Sequence, residues 1–188
     1  TASAPLELNG IVRVGSTVVL AGSRLTQVGN DRDGLLMRLT TGPQSTEFIG
    51  GPNNDQLFAI ASSGTTAAAV GIARSFRGTK VADEAFVALI GAATLSTVIH
   101  APTADIGFQP WAIDVNGGGF VVAGHFDEGE QGYVERISQT GAPLSTVRFA
   151  FPQSSVSVRQ VKVGGGTVVV VGSITVATNK VAYVVGFD

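Results

Sequence analysis

Thr17-Val-Val-Leu-Ala-Gly22, Thr66-Ala-Ala-Ala-Val-Gly71, Gly119-Phe-Val-Val-Ala-Gly124 and Thr167-Val-Val-Val-Val-Gly172 are four versions of one phrase, a short apolar run closed by glycine. The closing glycines recur at intervals of 49, 53 and 48 residues. A period of that size accommodates one four-stranded antiparallel sheet per repeat. Within the runs the apolar residues follow one another instead of alternating with polar ones, as expected of strands covered on both faces. Sheets stacked on sheets would supply that cover.

Each repeat divides into four strands around this phrase. The strand before it is IVRV (11–14), FAIAS (58–62), WAIDV (111–115) or RQVKV (159–163), followed by a turn rich in Gly or Ser such as Asn116-Gly117-Gly118-Gly119. The strand after it is LLMRL (35–39), FVALI (86–90), YVERI (133–137) or YVVGF (183–187). A last strand is STEF (45–48), LSTVI (95–99) or LSTVRF (144–149), and the fourth repeat ends before its own. The missing piece is matched at the other end of the chain: Asp188 joined to Thr1 lays Thr1 to Leu6 over Gln139 to Leu144 without a gap.

The fold expected is therefore all-β: a β-propeller of four four-stranded blades in a single domain spanning 1–188, the last blade closed by the N-terminal strand. Approximate blade limits are 9–48, 49–100, 101–150, and 151–188 together with 1–8. The alternative is part of a larger seven- or eight-bladed propeller, including two chains paired into eight blades. A sandwich or solenoid of the same hairpins is a further option.

Composition narrows the function classes. With 44% apolar and 14% charged residues and a formal net charge of -2, the chain offers a core but no basic surface for nucleic acid. Cysteine is absent, which excludes disulfides and thiolate chemistry. No apolar run reaches the roughly 20 residues of a membrane span, and the start, Thr1 to Pro5, reads as a mature or trimmed product.

Val19-Leu20-Ala21-Gly22 with Asp33-Gly34-Leu35, and Val122-Ala123-Gly124 with Gly132-Tyr133-Val134, resemble the repeat of bacterial β-propeller families found in exported and surface proteins. The likeness covers nearly the whole chain and implies fold alone, since the repeat carries no shared catalytic residues. Low charge, abundant Thr, Ser, Val and Gly and the absence of Cys resemble exported bacterial β proteins and suggest an extracellular, cell-surface or periplasmic setting.

Sites are sought on the rim. The loops after each closing glycine, 23–33, 72–84, 125–131 and 173–181, differ in length, and Pro52, Pro102 and Pro152 stiffen the connections on the same side. Gly10, Phe58, Trp111 and Arg159 open the first strands at matching places, so the single Trp stands near a guanidinium. His125 lies two residues from Asp127, while Ser23 and Ser173 occupy its position in other repeats. The ligand-binding set expected is Trp111, Arg159, Phe58, His125 and Asp127.

Carboxylates gather at Asp31 and Asp33, Asp83 and Glu84, and Asp127, Glu128 and Glu130. Calcium wants six to eight such oxygens, but Asn30-Asp31-Arg32-Asp33-Gly34 lacks the full spacing of a calcium loop, so no cofactor is assigned. His100 reads as a loop residue. No nucleophile elbow, paired metal-binding His or phosphate loop is found. The function expected is a non-catalytic binding or scaffold module, monomer or homodimer, presenting its rim to a protein or glycan. The alternatives are a hydrolase or lyase at the channel mouth using His125 with the Asp127 and Glu130 loop, and a structural assembly unit.

Overall fold

The computed structural model describes residues 5–26, 31–39, 45–49, 54–74, 83–91, 95–96, 108–126 and 129–188, and in these it is entirely β. Strands β1 (Leu6–Val14), β2 (Thr17–Leu25), β3 (Arg32–Leu39) and β4 (Ser45–Ile49) pair in sequence order as the first sheet. The second holds β5 (Asp55–Ser62), β6 (Thr66–Arg74), β7 (Asp83–Gly91) and β8 (Leu95–Ser96). The third holds β9 (Phe108–Asn116), β10 (Gly119–Phe126), β11 (Gly132–Ser138) and β12 (Pro143–Phe149). The fourth has three strands, β13 (Ser154–Gly164), β14 (Thr167–Val176) and β15 (Asn179–Phe187).

Local chemistry accounts for the hairpins. Gly15, Gly117 and Gly165 adopt φ of 59°, 55° and 60°, the left-handed conformation that lets a two-residue turn follow the twist of its strands. The Val- and Ala-rich central strands between these turns are the most thoroughly buried parts of the molecule, as their unbroken apolar character requires.

The inner strands are longer than the sequence reading allows, and they are bulged. In β1 the register slips between Leu8 and Gly10, in β5 between Leu57 and Ala59, in β9 next to Pro110, and in β13 between Val158 and Gln160. Each slip lies opposite a closing glycine. An added Cβ on Gly22, Gly71, Gly124 or Gly172 would sit 1.9 to 2.0 Å from the carbonyl oxygen of Glu7, Gln56, Gln109 or Ser157. The recurring glycine thus makes room for the backbone of the bulged neighbour.

Sheets pack face to face in chain order. Each has a leading face turned to the preceding sheet and a trailing face turned to the following one. Val14, Val19, Ala21 and Leu36 on the trailing face of the first sheet meet Leu57, Ala69 and Phe86 of the second. Val70 and Val87 of the second meet Phe108, Phe120 and Tyr133 of the third, and Val121, Ala123 and Val134 of the third meet Val158, Val168 and Tyr183 of the fourth. Burying one Val or Phe contributes about 1.5 to 3 kcal/mol, so these three cores hold the stack together. Polar staples join the inner edge: Asn9 Nδ2 donates to the Leu57 carbonyl at 2.8 Å, and the Val163 N–H donates to Asp114 Oδ2 at 2.9 Å.

Two expectations are corrected. The N-terminal residues do not complete the last sheet: Leu6, Glu7 and Leu8 pair with Arg24, Ser23 and Gly22 of β2. The reason is the bulge, which lets β1 continue past Gly10 along its own sheet. Among the described residues β15 is an edge strand, and residues 1–4 lie outside them. Inner strands pack β1 on β5, β5 on β9 and β9 on β13, and among the described residues no comparable packing runs from β13 back to β1, so the four sheets form an arc there. The described strands of the four sheets run over 6–49, 55–96, 108–149 and 154–187.

Candidate functional site

The bulges create the one concentration of aromatic and cationic chemistry on the inner strands. With register fixed by the closing glycines, the extra residue is Asn9 in β1, Phe58 in β5, Trp111 in β9 and Arg159 in β13. The first member of this row is therefore Asn9 and not Gly10, because the slip displaces the equivalence by one position. A bulge re-aims the side chain it carries, and four aligned bulges bring neighbouring side chains together.

Phe58 and Trp111 stack with ring centroids 4.3 Å apart and planes inclined by 15°. Trp111 also lies parallel to His125 of β10 at 5.8 Å, with an interplanar angle of 3°, and the Arg159 guanidinium stands 5.8 Å from the Trp111 ring. Stacked rings and a cation over an indole each contribute on the order of 1 kcal/mol. The Trp111 Nε1–H is buried and meets no acceptor among the described residues.

His125 is held neutral. Burial, and then the positive charge of Arg159, lower its pKa from the usual 6.5 to about 4. Its Nδ1 accepts the Val158 N–H at 3.3 Å, which leaves the proton on Nε2. In this arrangement Nδ1 serves as the acceptor and Nε2 carries the N–H.

Of the expected ligand set, the structure brings together Phe58, Trp111, His125 and Arg159; Asp127 lies outside the described residues. Asn9 was missed, since only the bulge identifies it as their counterpart. Of the rim carboxylates, Asp33 pairs with Arg24 at 3.3 Å, and among the described residues no three His, Asp or Glu side chains group as metal ligands. Glu128 and His100 lie outside the described residues, and so do the side chains of Asp83 and Glu84. No helix among the described residues is long and apolar enough to cross a membrane.

No protein-family profile and no curated relative matches the chain. Solved structures do. The β-propeller domain of the Trilobed protease from Pyrococcus furiosus, described as having an open velcro topology, matches with a TM-score of 0.56 at 10% identity, over 100% of this chain and 59% of that one. An acylaminoacyl peptidase in complex with Z-Gly-Gly-Phe-chloromethyl ketone matches with a TM-score of 0.57 at 12% identity, over 97% of this chain and 32% of the other. The Pyrococcus horikoshii acylaminoacyl peptidase matches with a TM-score of 0.56 at 11% identity, over 95% and 32%. The chain therefore spans about three-fifths of the first and about a third of the other two. These matches overturn the expectation of a non-catalytic binding or scaffold module for a protein or glycan, because the similar structures belong to peptidases. At such identity the likeness is one of fold, and the fold is propeller-like.

Proposed function

We propose that this chain contributes four blades to a propeller that accompanies a hydrolase of the peptidase class, and that its inner-strand row takes part in receiving the peptide substrate of that hydrolase. Likeness to solved peptidase structures, one of them a β-propeller domain, along 95 to 100% of the chain supports the association. The observation that carries the receiving role is the alignment of Phe58, Trp111 and Arg159, with the Phe58 and Trp111 rings stacked at 4.3 Å and the Arg159 guanidinium 5.8 Å from the indole. The row from Asn9 through Phe58 and Trp111 to Arg159 then has a receiving role: the aromatic pair offers flat apolar surface, and the exposed Arg159 offers a partner for a peptide carboxylate.

The test is fluorescence anisotropy of the purified chain with labelled short peptides, free and N-acylated. Association that weakens in Arg159→Gln and Trp111→Ala is the expected result. Absence of association with any peptide, or association unchanged in both variants, refutes the proposal.

A further inference from the structure

Every internal junction joins two unlike halves, a trailing face and a leading face, and among the described residues the first sheet leaves its leading face uncovered and the fourth its trailing face. The register makes this quantitative. Leu8 holds the position of Leu57 and Val158, each opposite its closing glycine; the latter two are 0% exposed against the preceding sheet, whereas Leu8 is 51% exposed. Ile11 holds the position of Val161, which is 1% exposed, yet Ile11 is 65% exposed. Leu6 and Phe48 extend the same apolar leading face of the first sheet.

The opposite end repeats the pattern. Val184 holds the position of Leu36, Val87 and Val134, which are 1%, 0% and 4% exposed where a following sheet covers them; Val184 is 71% exposed. Val169 and Val171 stand beside it where Val19 and Ala21 are buried in the first sheet. Both ends thus keep the side chains of a junction without the partner sheet.

We propose that these ends cover each other between two copies of the chain. The trailing face of the fourth sheet in one copy receives the leading face of the first sheet in the second, and the reverse contact closes the assembly. Each chain supplies one half of each junction, so both contacts are the same head-to-tail contact, related by a two-fold axis along the ring. Eight sheets result, within the range of known propellers. The internal junctions specify the occupant: what covers a Leu57-type face here is always a sheet of this same build, bearing Val, Ala or Leu at the Val19, Ala21 and Leu36 positions. This inference does not depend on the association with a hydrolase.

Light scattering coupled to size-exclusion chromatography, with the chain loaded up to about 100 μM, tests it. The expected mass is twice that of the chain. Ile11→Arg and Val184→Arg should each halve that mass without altering the circular dichroism spectrum, and Ile11→Ser and Val184→Ser give milder versions should either charge disturb folding. Mixing the Ile11→Arg and Val184→Arg proteins should restore a species of twice the chain mass, since one intact trailing face and one intact leading face remain between them. A monomer throughout the range, as expected were the ends covered by further blades of a longer polypeptide, overturns the proposal. So does a dimer indifferent to both substitutions, a dimer lost in only one of them, or a mixture that stays monomeric.

Discussion

Replacing Gly71 with alanine tests the physical basis of the repeat most directly. The new Cβ would lie 1.9 Å from the Gln56 carbonyl oxygen, 2.9 Å from its carbon and 3.0 Å from the Leu57 Cα, all of them backbone atoms that no rotamer change can move aside. Ordinary contact begins near 3.4 Å, so β5 must retreat from β6 by more than an ångström at this point. Leu57 is fully buried against the first sheet, and the retreat drives it into Val14 and Leu36. Overpacking of this kind costs about 1 to 3 kcal/mol, and the loss of a ladder hydrogen bond adds about 1.

Alanine recovers about 0.4 to 1 kcal/mol by restricting the unfolded chain. The net expectation is a loss of about 1 to 3.6 kcal/mol, which for a chain of this length lowers the melting temperature by roughly 2 to 14 °C. Gly118 is the control. Its added Cβ meets nothing within 4 Å, so Gly118→Ala should be neutral or slightly stabilising. Urea and thermal unfolding of the two variants give the comparison. Should Gly71→Ala unfold at the same midpoint as Gly118→Ala, the account of the glycine as room for a bulge fails.

Other consequences are open to similar measurements. Tyr183 buries a hydroxyl that finds no partner among the described residues, so Tyr183→Phe should be neutral or gain up to about 1 kcal/mol in urea unfolding; a loss larger than that would reveal a hydrogen bond. His125 titrates near 6.5 when unfolded and about 4 when folded, so the fold excludes its proton and stability should decline as pH falls from about 6.5 to about 4. Because the ring is partly exposed, the loss attributable to it is discounted to about 1 to 2 kcal/mol. His125→Gln should flatten that part of the pH profile, and identical slopes in the two proteins would refute the assignment. Leu36→Ala should cost about 2 to 5 kcal/mol, whereas Val184→Ala, at the equivalent but exposed position, should cost under about 1 kcal/mol in solution dilute enough to keep the chains apart.

The β class, the four sheets in chain order, the tight turns and the closing glycines are legible in the sequence because they rest on local properties. Val and Ala in unbroken runs need cover on both faces, and glycine adopts the left-handed turn conformation at Gly15, Gly117 and Gly165 without the steric cost of a Cβ. The grouping of Phe58, Trp111, His125 and Arg159 was also legible in part, since equal spacing from the closing glycines marks equivalent places. Spacing cannot reveal a bulge, however, and so Gly10 stood where Asn9 belongs.

The role of Thr1 to Leu8 shows the limit most clearly. Its phase with the end of the chain was real in the letters, yet a phase match is satisfied equally by a closing strand and by the start of another repeat. What separates the two is which backbone donors and acceptors meet, and that is fixed only when Leu6 to Leu8 pair with Gly22 to Arg24. Composition and periodicity therefore determined the sheets and their order. Tertiary structure alone decided the bulged register, the neutral state of His125 and the open ends of the arc, because each of these depends on contacts between strands distant in the chain.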